Sequence, residues 1–546
     1  MVKYKDRKGE FCLAKPKKEL SMKKILALML LACTVFALCA CPGSGGPGDD
    51  DVCPECGKDP CVCTGTFIDK IDKQYNFGGD ELSISIRNDF VYEIYADSTS
   101  QEGIDPEVYK RNSSIEKRFN FKVKPLQSLC QGDLDHTTHF NDVTLALQKG
   151  SFKFDVIFMW AFQSGKLVKG MNYLDWRLQN ADGSYVLPYT GESLANKAAW
   201  WPAGINDAST VMGHQYIAIS DMSISSMESA YSIVYNYDMV MNERIAEGLG
   251  YRDMYDIVKK GDWTLDLFYN ITKDRYTDNV NGGTFGQEDL TDTYGFMYQK
   301  TTGIDAFINS LGFQCIVNDG ENMPQLWTMN QTLTTAAEDV VKLCLSKGAI
   351  DMLDTETDYK FFAERHAYFA TMKLAALRTA TMHGMEDDYG VLPYPKLNKD
   401  QEEYLTGSDD HCSVFSIPLM INPDRYEIVG VTMEALSART NQVVKKQFYD
   451  TMLKTNSTRN LQDEEMIDMI VNGRVYDFVT YHHADLWIDQ DGRDGHLHAF
   501  FRYLVMEEPG LSPGDYWARG KDILAGGESV QGSLANLIYQ YVTMLG

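Results

Sequence analysis

Basic residues are scarce in this chain. Across 546 positions, 51 Lys and Arg stand against 77 Asp and Glu, a formal charge of −26. A surface of that sign repels phosphate backbones, which excludes a broad nucleic-acid-binding face. Long apolar runs are also lacking: apart from one stretch near the N-terminus, nothing approaches the roughly 20 residues of a membrane-spanning helix. No internal repeat appears at solenoid spacings. The signatures GxSxG, HExxH and GxxxxGK[ST] are missing, so the sequence carries no sign of the corresponding hydrolases or nucleotide enzymes. With 77 carboxylates, no acid pair stands out as a glycosidase pair.

What is present is the balance of a folded globular chain, 44% hydrophobic and 23% charged. Single cores stop growing near about 250–300 residues, so more than one lobe is expected.

Residues 22–41 read MKKILALMLLACTVFALCAC. Lys23 and Lys24 form a charged n-region, and residues 25–38 form an apolar h-region too short to span a bilayer comfortably. The run Leu38-Cys39-Ala40-Cys41 resembles a bacterial lipobox, with Cys39 an unusual choice two positions before the lipid-bearing cysteine. Residues 1–40 are therefore expected to be a signal peptide, with translation starting at Met1 or Met22. Cys41 is expected to be lipidated, holding the chain to the extracellular face of the bacterial cell membrane.

Residues 42–51, PGSGGPGDDD, cannot build a core and read as a tether within a linker at 41–79. The literal GxGxxG match from Gly43 to Gly48 has no strand before it and no helix after it, so it is no dinucleotide loop. Cys53, Cys56, Cys61 and Cys63 fit either a tetrahedral zinc site or two local disulfides. Cys130, Cys315, Cys344 and Cys412 are isolated and read as small buried hydrophobes.

From residue 80 the pattern is strand–helix–strand. Residues 81–87 (ELSISIR) alternate as a half-buried strand does, and Asp105-Pro106-Glu107 opens a helix. Residues 154–159 (FDVIFM) predict a strand buried on both faces. Thr264 is a good N-cap for a helix over 265–272, residues 367–377 predict a strand feeding a helix, and 389–393 another strand. The alternation predicts an α/β fold with largely parallel sheets.

Several segments then match one family in register. They are 105–112 (DPEVYKRN) with 115–123 (IEKRFNFKV), 154–157 (FDVI), 235–239 (YNYDM), 255–258 (YDIV) with 261–264 (GDWT), 292–296 (DTYGF), 389–396 (YGVLPYPK) with 401–404 (QEEY), and Phe448, Tyr449, Arg459, Glu465 and Met466. Over about residues 80–475 the chain resembles the extracellular solute-binding proteins, family 1, of ABC importers, most of which bind sugars. One position departs from the pattern, Asn460 standing where the family has Asp after the Arg. The resemblance implies a bilobal, type II periplasmic-binding-protein-like fold: two α/β lobes over 80–546, joined by a hinge. It implies a first lobe at about 80–205 plus a later return, and a second at about 206–390 plus C-terminal parts. It also implies a non-catalytic monomer without cofactor, closing on a carbohydrate, foreseen as an oligosaccharide, for delivery to an ABC permease.

Sugars offer apolar C–H faces and dense hydroxyls, so a site for them needs aromatic platforms beside hydrogen-bonding side chains. Trp160 follows the buried strand, and ligands of α/β sheets bind beyond the carboxyl ends of strands, which directs attention to Trp160, Gln163 and Ser164. Trp200 and Trp201 form a second aromatic pair. By resemblance to maltose-type binding proteins, Ser229 and Tyr231 approach the ligand. Arg378 either reaches the cleft or pairs with an acid. Asp410 and His411, beside an expected lobe crossing, rank below these. Trp263 reads as a structural staple.

The stretch 482–498, with His482, His483, Asp485, Asp489, Asp491, Asp494, His496 and His498, reads as a solvated loop. Arg493 and Phe500 stand at positions that a calcium loop would need, so no metal site is assigned. Two rival functions remain: a surface glycan- or peptide-binding lipoprotein without a transporter, and a secreted metal-dependent hydrolase built on 482–498.

Overall fold

The computed structural model describes residues 67–132, 135, 137–150, 153–279, 291–319, 323–326, 330–353, 355–452, 460–483, 486–490, 493–496, 500–505 and 528–545. All of these fall in one compact unit, Phe67–Gly546. The expected signal peptide, the lipid position Cys41, the tether and the Cys53–Cys63 cluster lie outside the described residues.

The first lobe grows from a strand–helix–strand unit. Strand β1 (Asp80–Arg87) sends Leu82, Ile84 and Ile86 into one core cluster, as its alternation requires. It pairs in parallel along its whole length with β2 (Phe121–Ser128). Between them runs α1 (Asp105–Phe119), with Pro106 in its first turn and Asn120 closing it in the left-handed conformation, φ 51°. β3 (Val156–Trp160) is buried along its length: Val156 and Phe158 join one core cluster, Ile157 and Met159 another. It leads into α2 (Ala161–Lys169) and the short β4 (Tyr173–Leu174). Residues 206–219 stay with this lobe. Trp176 donates its backbone N–H to the Gln215 carbonyl at 2.8 Å, and Ala218 bridges to Phe415.

The chain crosses to the second lobe through α3 (Ile224–Glu228) and enters β5 (Tyr231–Asn236), followed by β6 (Tyr276–Thr277) and β7 (Thr293–Gln299). Thr264 does cap its helix, accepting the Leu267 N–H at 3.4 Å. After α4 (Thr302–Ser310) come β8 (Ala349–Met352), β9 (Ala367–Lys373) and β10 (Tyr389–Leu392). Their sheet runs β8-β7-β9-β5-β10, with β6 on β7. A second crossing returns to the first lobe as β11 (Ser413–Pro418), completing the order β2-β1-β3-β11-β4. Helix α5 (Tyr426–Arg439) packs on α1 there. A wide turn at Thr440–Val444 is the third crossing, into α6 (Lys445–Met452) and α7 (Asn460–Asn472) of the second lobe. The fold is thus the bilobal α/β architecture expected, two sheets of helix-flanked strands that three passages of the chain join up to α7, with the described helices beyond α7 touching both lobes.

The sheets are mixed rather than largely parallel. β11 runs antiparallel to β3 and β4, and β5 runs antiparallel to β9 and β10. β11 enters its sheet from the other lobe, and β5 and β10 sit beside each other without a helical crossover. None is held to the direction that a right-handed βαβ connection imposes.

Beyond the resembling stretch, α8 (Phe478–His482), α9 (Phe500–Val505) and α10 (Glu528–Leu545) follow, with a hairpin pairing Trp487–Gln490 to Arg493–His496. His482, expected in a solvated loop, is buried instead. Its ring lies on Phe478 and hydrogen-bonds the Tyr541 hydroxyl at 2.7 Å. The side chains of His496 and His498 lie outside the described residues.

Candidate functional site

The carboxyl end of β3 delivers Trp160, and that of β7 delivers Gln299. The Gln299 side chain shapes the turn that follows: its Oε1 accepts the N–H of Thr301 at 3.1 Å and of Gly303 at 2.6 Å, fixing the start of α4. The second crossing carries Ser408, Asp409, Asp410 and His411 between these two ends, with Ala161 N–H donating to the Cys412 carbonyl at 2.9 Å. The result is a cavity of about 260 Å³ whose lining includes Thr302, Asp305, Asp409, His411, His483 and Arg502. Crevices at strand carboxyl ends are where α/β sheets bind ligands.

One flank of the site is aromatic. Trp160 is buried, with the Arg87 guanidinium 3.9 Å from its ring centroid, a cation–π contact in a dry setting. Phe162 lies 5.5 Å from Trp160, and His411 meets the Trp160 ring edge-on at 5.1 Å. Phe162 is half-buried and the His411 side chain is 44% exposed, so these two rings carry the accessible surface of the group.

The other flank is a chain of matched charges. Asp409 takes an ion pair from Lys373 at 2.7 Å and a hydrogen bond from His411 Nδ1 at 2.6 Å. Asp410 pairs with His483, and Asp305 with Arg502. The Tyr231 hydroxyl bonds that of Thr302, and the Lys373 ammonium lies 5.8 Å from the Tyr231 ring centroid. Burial works against a charge on His411, but Asp409 and then Asp410 overcome it and hold its pKa at about 9. Burial alone would raise Asp409; Lys373 and His411 outweigh it and hold that carboxyl well below its ordinary value. Burial pushes Asp305 up to about 6, against the pull of Arg502.

Because these charges neutralise one another, the pocket offers many donors and acceptors without a net demand for a charged guest. A charged ligand would leave a buried partner uncompensated. Among the described residues, Asp409, Asp410 and His411 are the trio whose donor atoms lie within 4.8 Å of one another. All three are engaged in the ion pairs above, which is a structural use of the same atoms.

The residues foreseen from sequence fall into three places. Trp160 and Tyr231 adjoin the cavity through His411 and Thr302, and the Ser229 carbonyl receives the Asp409 N–H at 3.0 Å. Gln163 and Ser164 are buried in α2, where the Ser164 hydroxyl donates to the Ala161 carbonyl at 2.9 Å. Trp200 and Trp201 are buried in the first lobe, both indole N–H groups donating to Glu434 at 3.0 and 2.9 Å, and Arg378 pairs with Glu228 at 2.6 Å. Trp263 is a fully buried staple, its indole N–H donating to the Pro393 carbonyl at 2.9 Å. Sequence reasoning passed over Thr302, Asp305, Lys373, Asp409 and Arg502, and set His483 in a solvated loop, whereas its side chain is 13% exposed and pairs with Asp410 in the cavity lining. The one local signal was the run Asp409-Asp410-His411 just before an apolar strand.

No family model and no curated protein sequence matches the chain. Among solved structures it is similar to a cyclo/maltodextrin-binding protein complexed with maltotetraose (TM-score 0.48, 10% identity, 86% of this chain and 97% of that one). It is also similar to RafE from Streptococcus pneumoniae in its apo form (0.44, 13%, 86% and 100%). A third is an ABC substrate-binding protein from Listeria monocytogenes in complex with cycloalternan (0.42, 13%, 85% and 99%).

Proposed function

We propose that this chain is a non-catalytic binding protein. It takes up a carbohydrate between its two lobes and hands it unchanged to the transmembrane subunits of an ABC importer. In this reading it works as a monomer, anchored through a lipid on Cys41 at the extracellular face of the bacterial membrane. The observation that carries the ligand class is the half-buried Phe162 ring beside His411, which lines the cavity, together with the charge-matched Lys373–Asp409–His411–Asp410 network. Ring faces suit the C–H surface of a pyranose, and donors and acceptors already held in matched ion pairs suit its hydroxyls. The three passages between lobes are the physical means of closure, because a guest that touches both lobes selects the closed state. The in-register segments described above support the same reading.

The experiment is a thermal-shift panel of neutral saccharides, acidic saccharides and short peptides on the purified chain. A ligand that binds only the native state raises the midpoint. A neutral saccharide should raise it, and Phe162→Ala should weaken that saccharide by about tenfold. A shift by a peptide and by no saccharide would refute the carbohydrate assignment. The anchor is tested separately: Cys41→Ser should release the protein from the membrane fraction.

A further inference from the structure

We propose that a second cavity between the lobes, at Arg177, is a binding site for a small hydroxylated oxyanion, a sugar carboxylate or a sugar phosphate. The cavity measures about 520 Å³. It shares no lining residue with the cavity at His411, so this inference does not depend on the carbohydrate reading. Asp477 and Thr480 line the first cavity, whereas Phe478, between them in sequence, lines the second.

The first observation is an arginine without a counter-ion. Arg177 stands half-buried in the lining, and its Nε is buried with no hydrogen-bond partner in the protein. Among the described residues, its guanidinium makes no ion pair and no hydrogen bond. Arg111 and Arg378 also bury an N–H of this kind, yet each spends others on protein oxygens. A buried donor left unsatisfied costs free energy unless water or a ligand takes it.

The second observation is that Arg177 is held by neighbours that cannot neutralise it. Trp176 before it is fully buried, its indole N–H donating to the Phe415 carbonyl at 3.2 Å. The carboxylate closest along the chain, Asp175, is already committed. Its Oδ1 accepts the backbone N–H groups of Arg177 and Gln215 at 2.9 and 3.0 Å, and its Oδ2 bonds His214 at 2.7 Å. Asp207, in the lining, is taken by Lys197 at 2.7 Å. That pair is 55% and 60% exposed, so it holds weakly and the ammonium keeps donors for a guest. Arg177, Lys197 and Asp207 leave the lining with one positive charge in excess, on a chain whose net charge is −26. The cavity at His411 is the reverse case, because each cation in its lining has a carboxylate.

The third observation concerns the part of the lining that the second lobe supplies. Gln314 and Asn318 each spend an amide N–H within the protein, on the Tyr476 carbonyl at 3.2 Å and on the Thr210 carbonyl at 3.3 Å. These bonds orient both amides and leave their carbonyl oxygens to accept hydroxyl groups. A guanidinium fork from one lobe and amide acceptors from the other match a guest with an anionic head and a hydroxylated body.

Calorimetric titration of the full chain, in a buffer free of carboxylate and phosphate, tests the site with glucuronate, glucose 6-phosphate and glucose as probes. One of the two acids should bind with a dissociation constant of about 1 mM or tighter, and the tighter of them names the anionic group. Arg177→Gln should weaken that acid at least about tenfold, and Arg177→Lys should restore part of the loss, since lysine keeps the charge without the fork. Any binding of glucose should stay within about twofold in both variants, and Phe162→Ala should leave the acid within about twofold. If neither acid binds the wild-type chain more tightly than about 1 mM, the site is overturned, however the variants fold. Equal binding of the acid by an Arg177→Gln protein with native near-UV circular dichroism also overturns it. Binding that Phe162→Ala abolishes and Arg177→Gln spares would assign the acid to the cavity at His411 and overturn the site at Arg177. Failure of every neutral saccharide refutes the carbohydrate reading and leaves this site standing.

Discussion

Glu93 and Ser225, 132 positions apart, are joined twice: the Ser225 backbone N–H and hydroxyl both donate to Glu93 Oε1, at 2.7 and 2.6 Å. The other carboxyl oxygen is bonded by the hydroxyl of Ser413, the first residue of β11. Next to it, Arg111 Nη1 donates to the Glu93 carbonyl at 2.9 Å and the Thr440 hydroxyl at 3.1 Å. Ser225, Ser413 and Thr440 lie one on each of the three passages that precede α7, so this buried pair gathers those three segments of the hinge.

Burial pushes the Glu93 pKa up to about 8, from an ordinary 4.5. A carboxyl raised on folding binds its proton more tightly in the native state. Its stabilising contribution is complete below about pH 4.5 and is lost progressively as the pH climbs to about 8. Urea titrations across pH 5–8 should show stability falling through this window, and Glu93→Gln, which keeps the hydrogen-bonding shape without the ionisation, should flatten that slope. An equal slope in the variant would remove Glu93 as its source.

Glu434 holds the two indole N–H groups of Trp200 and Trp201 and the hydroxyl of Ser193 within the first lobe. Burial raises this carboxyl above its ordinary pKa, while the three donors pull it back. Glu434→Leu leaves those three donors unpaired in a dry setting, each costing about 1–3 kcal/mol, so a loss of at least about 3 kcal/mol is expected from denaturant midpoints. Saccharide affinity in the surviving folded protein should stay within about twofold of wild type, since the group lines the core of one lobe and not the cavity.

These cases mark what the chain made legible. Local chemistry was readable: Thr264 caps its helix, and the run at 154–159 holds most of a strand buried on both faces, Val156–Trp160, because caps and periodicity act between residues close in sequence; Trp263 was read as a staple from its place before that cap, while the bond that fixes it reaches Pro393. The site was harder. Trp160 was singled out because strand ends carry positional meaning and Tyr231 by resemblance, and both lie buried beside the cavity rather than in its lining. Lys373, Asp305 and Asp409 are ordinary charged residues among 128 until two lobes bring them together. Nothing local separates Arg502 from any other arginine. Strand direction was lost for a similar reason, since β11 takes its orientation from a passage between lobes and not from its own pattern.

His411 gives the binding reaction its own pH signature. With its pKa near 9, the ring is protonated at neutral pH and donates to Asp409 while its neighbour Phe162 lies 6.1 Å away. Saccharide affinity should be level from about pH 6 to 8 and fall above about 9 as the ring loses its proton and the Asp409 pair weakens. His411→Gln should bind about three- to tenfold more weakly at pH 7 and lose the alkaline fall-off, a contrast that titration at pH 7 and 9.5 reads directly.

Gly165 offers a test of how α8 is seated that leaves every charged group in place. Its position against the His482 ring and the Tyr481 carbonyl leaves no room for a methyl group, and neither obstacle is the loose end of a flexible side chain. His482 is held by Phe478 and Tyr541. Gly165→Ala should therefore cost about 1–3 kcal/mol through overpacking. The damage should appear first as protease cleavage within 478–545, because α8 is forced off α2 while the strands of both sheets are untouched. Cleavage spread evenly over the chain would show instead that the segment and the lobes unfold as a single cooperative block.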